Sequence, residues 1–371
     1  MTGRARVVVA LDSFKGSIRA REAVDAFAAG WLAARPGDDV ARVPMADGGE
    51  GTLDAFEAAV PGARRMPVTV PGPAGADVAA SWLLLPATAE RRVTGVVELA
   101  STSGFELLDP SALRPLDADT RGFGRAIRGA LDAGVDRLVL AIGSSASSDG
   151  GAGMLRELGV RVLDERGVET GDGARGLEAA ATVELEGVIP LPTGGAVVLA
   201  DVTAPLLGPT GAAAVFGPQK GATADDVARI DAALAHWASL LGGDPGIPGA
   251  GAAGGTGFGL LSWGARLEPG AATVAELVGL RDAIRDADLV VAGEGRFDGQ
   301  SAHGKAPGLV LDAARTSGVP AAVVAGLVDA APAGVRTVAL ADLAGGPAAS
   351  LADPSHWLRA AGALLAREHE G

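Results

Sequence analysis

The chain has 371 residues, of which 48% are hydrophobic and 20% charged, which predicts a folded protein of two domains rather than a disordered chain. The net charge of −14 at pH 7 argues against non-specific binding to nucleic acid or to an anionic membrane, because phosphate contacts need a basic surface. The lack of cysteine excludes disulfides, thiolate nucleophiles and zinc–thiolate sites.

The chain shows no sign of export or membrane insertion. The apolar run near the N-terminus is too short for a signal peptide, and no stretch free of charges and breakers is long enough to span a bilayer. We therefore expect a cytoplasmic protein that binds neither nucleic acid nor membrane.

The first elements predict a β-loop-α unit. A buried-type strand at 6–11 leads into a loop at 12–17, and a helix at 18–34 follows with apolar residues at helical spacing. The loop follows the carboxyl end of the strand, where open α/β sheets bind ligands. Lys15 in that loop is a candidate contact for a phosphate or carboxylate, and the alternative is a solvated loop lysine.

A second loop, 44–52, places Asp47 and Glu50 beside three glycines. An acid near a helix start favours the helix dipole, but so many glycines exceed what a cap needs. Asp47 is therefore a catalytic candidate. From 66 to 100 the pattern changes to alternating strands, which predicts a first domain boundary near 71.

The stretch 137–154 is the most informative of the sequence. An apolar strand at 138–142 ends in small hydroxyl residues, Asp149 and glycines, and a helix-like segment follows. Small residues let backbone amides approach an anion at a helix start. The candidate phosphate contacts are Gly143, Ser144, Ser145, Gly150 and Gly151. Asp149 has two interpretations, a helix cap or a catalytic acid.

Later loops repeat this pattern. Asp201 follows a strand at 196–200, Lys220 precedes a capped helix, and the glycine run 249–259 contains Gly254 and Gly255. A strand at 288–292 then leads into a loop that carries acids and cations: Glu294, Arg296, Asp298 and, further on, Lys305. An acid just past a strand is a common place for a metal ligand or a base.

Two glycine patterns resemble known nucleotide-binding motifs but each lacks a required feature. The run from Gly299 to Lys305 fits most of a P-loop, but Ala306 has no hydroxyl for Mg²⁺. The glycines at 171, 173 and 176 match a dinucleotide fingerprint, but they follow a charged turn rather than a strand.

Carboxylates, cations and glycines at strand ends are the groups that phosphoryl transfer uses. Carboxylates hold Mg²⁺, cations and amides bind phosphates, and one acid orients the attacking hydroxyl. Acyl transfer is poorly supported, because the chain has neither cysteine nor a GxSxG elbow.

Over nearly its whole length the sequence resembles the type I glycerate kinase family. The matching motifs are DSFKGS (12–17), ADGGEGT (46–52), IGSSASSDGGAGM (142–154), DVTAPLLG (201–208), VFGPQKGA (215–222) and AGEGRFDGQSAHGK (292–305). The departures are few: Ser144 replaces a glycine of the family pattern, Ser148 replaces an asparagine, and Leu11 stands where proline is usual.

The resemblance implies an α/β fold with two α/β domains. One is a flavodoxin-like parallel sheet formed by both chain ends, residues 1–71 plus 286–371, and the other is an inserted mixed α/β domain, residues 72–285. It also implies an ATP-dependent kinase that phosphorylates D-glycerate, in most bacterial members at the 2-hydroxyl, with Mg²⁺ as cofactor. It leaves a homodimer open.

Within this hypothesis the roles are distributed as follows. Lys15 and Arg296 bind the glycerate carboxylate or the transferring phosphoryl group, Asp47 or Asp149 orients the hydroxyl, and Asp201 and Glu294 lie near the metal. The glycine-rich segments contact the phosphates, with Lys220 and Lys305. An Asp149→Asn variant is expected to lose turnover with little loss of stability.

Two other functions stay open. A kinase of another small hydroxy acid or sugar would consume ATP with little preference for glycerate. A non-catalytic two-domain protein that binds small anions would bind its ligand without releasing ADP, but it would gain nothing from buried carboxylates near that ligand.

Overall fold

The computed structural model describes residues 4–14, 16–89, 91–298 and 305–369. The strands are, in chain order, β1 (Arg6–Leu11), β2 (Asp39–Arg42), β3 (Arg64–Pro71), β4 (Asp77–Leu85), β5 (Thr94–Glu98), β6 (Arg137–Ala141), β7 (Arg161–Leu163), β8 (Thr182–Glu184), β9 (Ala196–Leu199), β10 (Arg266–Glu268), β11 (Leu289–Phe297), β12 (Ala321–Val328) and β13 (Arg336–Ala339).

The α-helices are α1 (Ala20–Ala34), α2 (Thr52–Ala59), α3 (Ala100–Ser103), α4 (Arg121–Asp132), α5 (Ala152–Glu157), α6 (Gly173–Glu178), α7 (Ala212–Phe216), α8 (Ala224–Leu241), α9 (Ala252–Ser262), α10 (Gly270–Leu277), α11 (Leu280–Ile284), α12 (Ala306–Thr316), α13 (Leu340–Ala344), α14 (Pro347–Ala352) and α15 (Pro354–Glu368). Short 3₁₀ turns lie at Phe105–Leu107 and Pro218–Lys220.

The chain divides into two compact units, and the bounds differ from those expected. The first unit comprises Met1–Asp47, Asp54–Pro61 and Ala271–Gly371, and the second comprises Gly48–Leu53 and Gly62–Gly270. A boundary at 71 fails because β3 pairs with β4 as an antiparallel hairpin of the second unit. A boundary at 285 fails because α10 and α11 bury Ala271, Leu280 and Ile284 in a core of the first unit.

The sheet of the first unit has the order β13-β12-β11-β1-β2, and all its pairings are parallel. Counted within the unit, this is the flavodoxin order 2-1-3-4-5. The expected parallel sheet formed by both chain ends is therefore confirmed. Its switch point, where the strand order reverses, lies between β1 and β11.

Both faces of this sheet are covered, as continuous apolar strands predict. In β1, Val7 and Val9 pack in the same core as Trp31 of α1. The intervening Val8 packs in the opposite core with Ile284. The alternation of side chains along one strand thus supplies two helical layers.

Helices α1 and α15 approach closely because each has a glycine at the crossing. A Cβ atom on Gly30 would collide with the carbonyl oxygen of Arg359, and one on Gly362 would collide with that of Phe27. The crossing therefore requires glycine for reasons of space.

Replacing Gly362 by Ala is expected to lower the free energy of unfolding by about 1–3 kcal/mol, because the added methyl group forces two packed helices apart. The matched control is Gly37→Ala, since a Cβ at Gly37 meets no atom within 4 Å. Urea denaturation of both variants measures the difference. Equal stabilities would show that the crossing tolerates the methyl group.

The main sheet of the second unit has the order β10-β9-β6-β5-β4-β3. Strands β5, β6, β9 and β10 are parallel, and β3 and β4 extend the sheet in antiparallel pairings. This confirms the second, mixed α/β sheet. Because carboxyl ends of parallel strands lie at one edge, the loops after β5, β6 and β9 emerge on the same side.

Candidate active site

The loop after β6, residues 143–151, is here called the first glycine loop. It contains left-handed backbone at Ser144 (φ 62°), Gly150 (φ 63°) and Gly151 (φ 76°) before α5 begins. A left-handed conformation costs an ordinary residue roughly 1–2 kcal/mol, which explains why the family pattern has glycine where this chain has Ser144. Such strain is typical of functional loops.

A second glycine loop, residues 251–256, packs directly on the first. Ala253, Gly254 and Gly255 are left-handed in succession, with φ of 54°, 66° and 88°. The amide of Gly150 donates to the carbonyl oxygen of Gly254 at 3.1 Å. A Cβ on Gly254 would collide with the carbonyl oxygen of Ser147, so the two backbones interlock only because glycine is present.

Lys220 lies in the interior beneath these loops. Its side chain is buried, with 4% of the residue exposed, and Nζ donates to the carbonyl oxygen of Ser147. Burial lowers the pKa of the Lys220 ammonium to about 8, and the Asp149 carboxylate opposes this fall. A cation held here stabilises the carbonyl side of the first glycine loop.

Asp149 is completely buried and accepts four hydrogen bonds. Its Oδ2 accepts from the amide of Thr120 at 3.0 Å, from the hydroxyl of Thr120 at 2.7 Å and from the amide of Gly153 at 3.0 Å. Its Oδ1 accepts from the amide of Gly151 at 3.1 Å. These contacts agree with the helix-cap interpretation, and they lead us to expect a larger loss of stability in Asp149→Asn than the sequence alone suggested. The catalytic role remains a prediction.

The amides of the predicted phosphate contacts differ in what they do. Gly143 donates to Gly48, Gly150 to Gly254 and Gly151 to Asp149, so these three hold the loops together. Among the described residues, no acceptor meets the amides of Ser144 and Ser145. The serines are therefore better candidates for an anion than the glycines around them.

The loop 48–53 closes against the same segment. A Cβ on Gly143 would contact the Cα of Gly49, and the amide of Leu53 donates to Glu98 Oε2 at 3.2 Å. Glu98 is buried and ends β5, so it was detectable as an acid at a strand end, but sequence reasoning missed it. Asp47, just before this loop, is half-buried.

In the first unit, two acids lie at the switch point. Leu11 is paired with Gly293, and the amide of Asp12 donates to the carbonyl oxygen of Gly293 at 2.9 Å. Asp12 follows β1, whereas Glu294 lies within β11 next to Gly293, because β11 continues to Phe297 beyond the strand end expected at 292. Both acids therefore lie near the edge where open α/β sheets bind ligands. Asp12 is buried, with 6% exposed, and its Oδ1 accepts from the amide of Ser13 at 2.6 Å.

The remaining predicted residues are dispersed. Arg296 is exposed and its Nε donates to Asp329 Oδ2 at 2.7 Å, which raises the pKa of the guanidinium. Lys305 is half-buried and precedes α12. Asp201, in the second unit, accepts from the amide of Gly270 at 2.8 Å. Lys15 lies outside the described residues.

In the part of the chain that the structure describes, no group of three or more Asp, Glu or His side chains lies close enough to hold a metal ion by itself. Mg²⁺ commonly binds one or two carboxylates together with substrate phosphates, and the carboxylates of Asp12 and Glu294 fit that donor set. None of the described helices has the length and apolar character needed to cross a membrane.

One unit has a flavodoxin-like sheet with acids at its switch point, and the other has a sheet whose strands lead into glycine-rich loops. These features define an α/β protein of the class that binds phosphorylated ligands. A family model described as "Glycerate kinase family" matches residues 7–369. The chain belongs to the glycerate kinase family, as the sequence motifs indicated.

Individual relatives of the chain are also named as glycerate kinases. The chain is 42% identical to a glycerate kinase of Bacillus subtilis, with 87% of this chain and 85% of that protein aligned. It is 38% identical to the glycerate 2-kinase of Escherichia coli, with 86% and 85% aligned. A crystal structure of a candidate glycerate kinase 2 from Salmonella typhimurium superimposes with a TM-score of 0.80 at 37% identity, covering 99% of this chain and 98% of that one.

Proposed function

We propose that this protein transfers the terminal phosphoryl group of ATP to the 2-hydroxyl of D-glycerate, giving 2-phospho-D-glycerate and ADP, with Mg²⁺ as cofactor. The observation that carries the proposal is the interlocked pair of glycine loops in a chain of the glycerate kinase family. The 2-hydroxyl is supported by the Escherichia coli relative, which is named a glycerate 2-kinase.

The phosphates of ATP have suitable partners in the first glycine loop. The amides of Ser144 and Ser145 would donate to phosphate oxygens, and Lys220 would hold the loop in position through the carbonyl of Ser147. Asp12, Glu294 and Asp201 offer the hard oxygen donors that Mg²⁺ prefers. When bound, Mg²⁺ neutralises charge that develops on the phosphates.

Acidic and basic side chains of the protein would bind glycerate and accept the proton of its hydroxyl. All four hydrogen bonds to Asp149 come from the protein, so the half-buried Asp47 is the better candidate to accept the proton of the attacking hydroxyl. Arg296 offers a planar guanidinium for the glycerate carboxylate, in competition with Asp329. Lys15 keeps its predicted role in contacting the same carboxylate or the phosphoryl group.

The test is ADP release from purified protein with ATP, Mg²⁺ and D-glycerate, followed by phosphorus NMR of the product. A 2-phosphoglycerate signal is the expected result. A 3-phosphoglycerate signal would keep the kinase and overturn the position. Turnover only with another hydroxy acid or a sugar would favour the rival kinase. Ligand binding without any ADP release would favour a non-catalytic binding protein.

A further inference from the structure

A cavity of about 430 Å³ in the second unit lies outside the residues proposed for catalysis. Small residues on two segments, among them Ala74, Gly75, Gly176 and Ala179, leave room for a ligand. Charged side chains complete the lining: Arg114, Asp117, Asp119, Asp172 and Arg175. The cavity thus has the volume and the polarity of a site for a small polar molecule.

Three of these charged groups already have partners. Asp117 is paired with Arg175, with an N–O distance of 2.6 Å. Asp172 is paired with Arg156 at 3.2 Å and with Arg121 at 3.7 Å. These pairs form the wall of the cavity and leave two groups whose charge is not balanced.

The first of the two is Asp119. The residue is 4% exposed, its Oδ1 accepts from the amide of Arg121 at 2.7 Å, and no described residue donates to its other oxygen. That oxygen is open to the cavity, where water or a ligand can donate a hydrogen bond to it. Because Asp119 lines the cavity, that donor has access to it.

The second is Arg114. Its side chain is exposed, and within the described part of the chain it makes neither an ion pair nor a hydrogen bond. A guanidinium binds a carboxylate through two parallel hydrogen bonds. The cavity is therefore lined by one cation without a partner, Arg114, and by one hydrogen-bond acceptor without a donor, Asp119.

We infer that this cavity binds a small carboxylate that carries a hydroxyl or ammonium group on the neighbouring carbon. Arg114 holds the carboxylate and Asp119 accepts a hydrogen bond from the second group. Asp119 also precedes Thr120, whose amide and hydroxyl hold Asp149, so the ligand would lie one residue from a support of the first glycine loop.

The protonation of Asp119 distinguishes the two ligand types. Burial raises the pKa of the Asp119 carboxyl to about 7; the amide of Arg121 and its guanidinium oppose the rise, while the carboxylates of Asp149 and Asp172 add to it. Arg114, Asp117 and Arg175 are the other charged groups on the cavity. An ammonium ligand prefers the ionised carboxyl, so its affinity rises between pH 6 and pH 8. A hydroxyl ligand lacks this preference.

Calorimetric titration of the full chain with alanine, lactate and propionate tests the inference without using activity. These probes differ only in an ammonium, a hydroxyl or neither group on the neighbouring carbon. We expect alanine or lactate to bind at least about 10-fold more tightly than propionate, and Arg114→Gln to remove that binding by a similar factor. Whichever probe binds identifies the ligand type.

Two further variants complete the test. Asp119→Asn keeps the acceptor for Arg121 and removes the charge, so it should abolish the pH dependence of alanine binding. Arg266→Gln, on an exposed arginine elsewhere in the second unit, is the control and should bind like the wild type. Equal binding of propionate, unchanged binding by Arg114→Gln, or no binding of any probe would overturn the inference.

Discussion

Replacing Lys220 by Met is expected to lower turnover by about 100- to 1,000-fold while the free energy of unfolding at pH 7 stays equal or rises by up to about 3 kcal/mol. Turnover falls while stability does not, because burial of the ammonium destabilises the fold but its contact positions the first glycine loop. Methionine has a similar length and fills the space without a charge.

The pH dependence of stability identifies the group. The folded pKa of Lys220, about 8, lies below its ordinary value of 10.5. Below pH 8 the ammonium is charged in both states, and its burial destabilises the fold. As the pH rises from about 8 to 10.5, the unfolded chain holds a proton that the folded chain has released, so this group's contribution to stability rises.

Urea denaturation at several pH values and steady-state kinetics measure both effects. The stability difference between Lys220→Met and the wild type should be constant below pH 8 and should shift in favour of the wild type above it. Lys220→Arg, which remains charged throughout, should also lack this rise. A stability difference that does not vary with pH would show that burial does not perturb the Lys220 ammonium. Normal turnover in Lys220→Met would show that the ammonium is not needed for catalysis.

Much of the fold follows from local patterns. The apolar run before Gly143, the periodicity of α8 and the apolar first half of β11 were all readable, because each element buries a face whose period the sequence shows. The order of the flavodoxin-like sheet was not readable from periodicity, since the register between β1 and β11 pairs residues as distant in sequence as Val7 and Leu289. That part came from the family resemblance.

The site was harder to predict where distant contacts override local preference. Ala253 is left-handed although alanine favours a right-handed helix, because Gly254 packs against Ser147 across the fold. Trp237 of α8 is buried in the core, and its Nε1 also donates to the carbonyl oxygen of Gly150 at 3.1 Å. The sequence lists the groups, but such partners are decided by tertiary packing.

Asp149 shows most clearly that local sequence does not decide a residue's partners. The sequence allowed both a helix cap and a catalytic acid at this position, and the hydrogen bonds of Asp149 favour the cap. The hydroxyl that holds it belongs to Thr120, 29 residues earlier in the chain. A completely buried acid with four donors around it is expected to contribute strongly to stability, whether or not it also takes part in catalysis.

Replacing Asp149 by Ala is therefore expected to lower the free energy of unfolding by about 3–5 kcal/mol, because four buried donors lose their acceptor. Asp149→Asn should cost about 1–3 kcal/mol, since the amide keeps one oxygen but turns an N–H group towards donors. The control is Asp164→Asn, at a half-buried residue whose hydrogen bonds from the amides of Arg166 and Val168 lie at the surface; it should cost less than about 0.5 kcal/mol.

Denaturation curves for the three variants test whether Asp149 stabilises the fold as a helix cap. The turnover of Asp149→Asn, measured at a temperature where it is fully folded, tests whether Asp149 is also a catalytic acid. A stability loss with turnover within about 10-fold of the wild type would assign Asp149 to the cap and leave Asp47 as the base. A further loss of about 1,000-fold would restore its catalytic role. Stability equal to that of Asp164→Asn would contradict the cap, because hydrogen bonds that are lost or reversed in a buried site must weaken the fold.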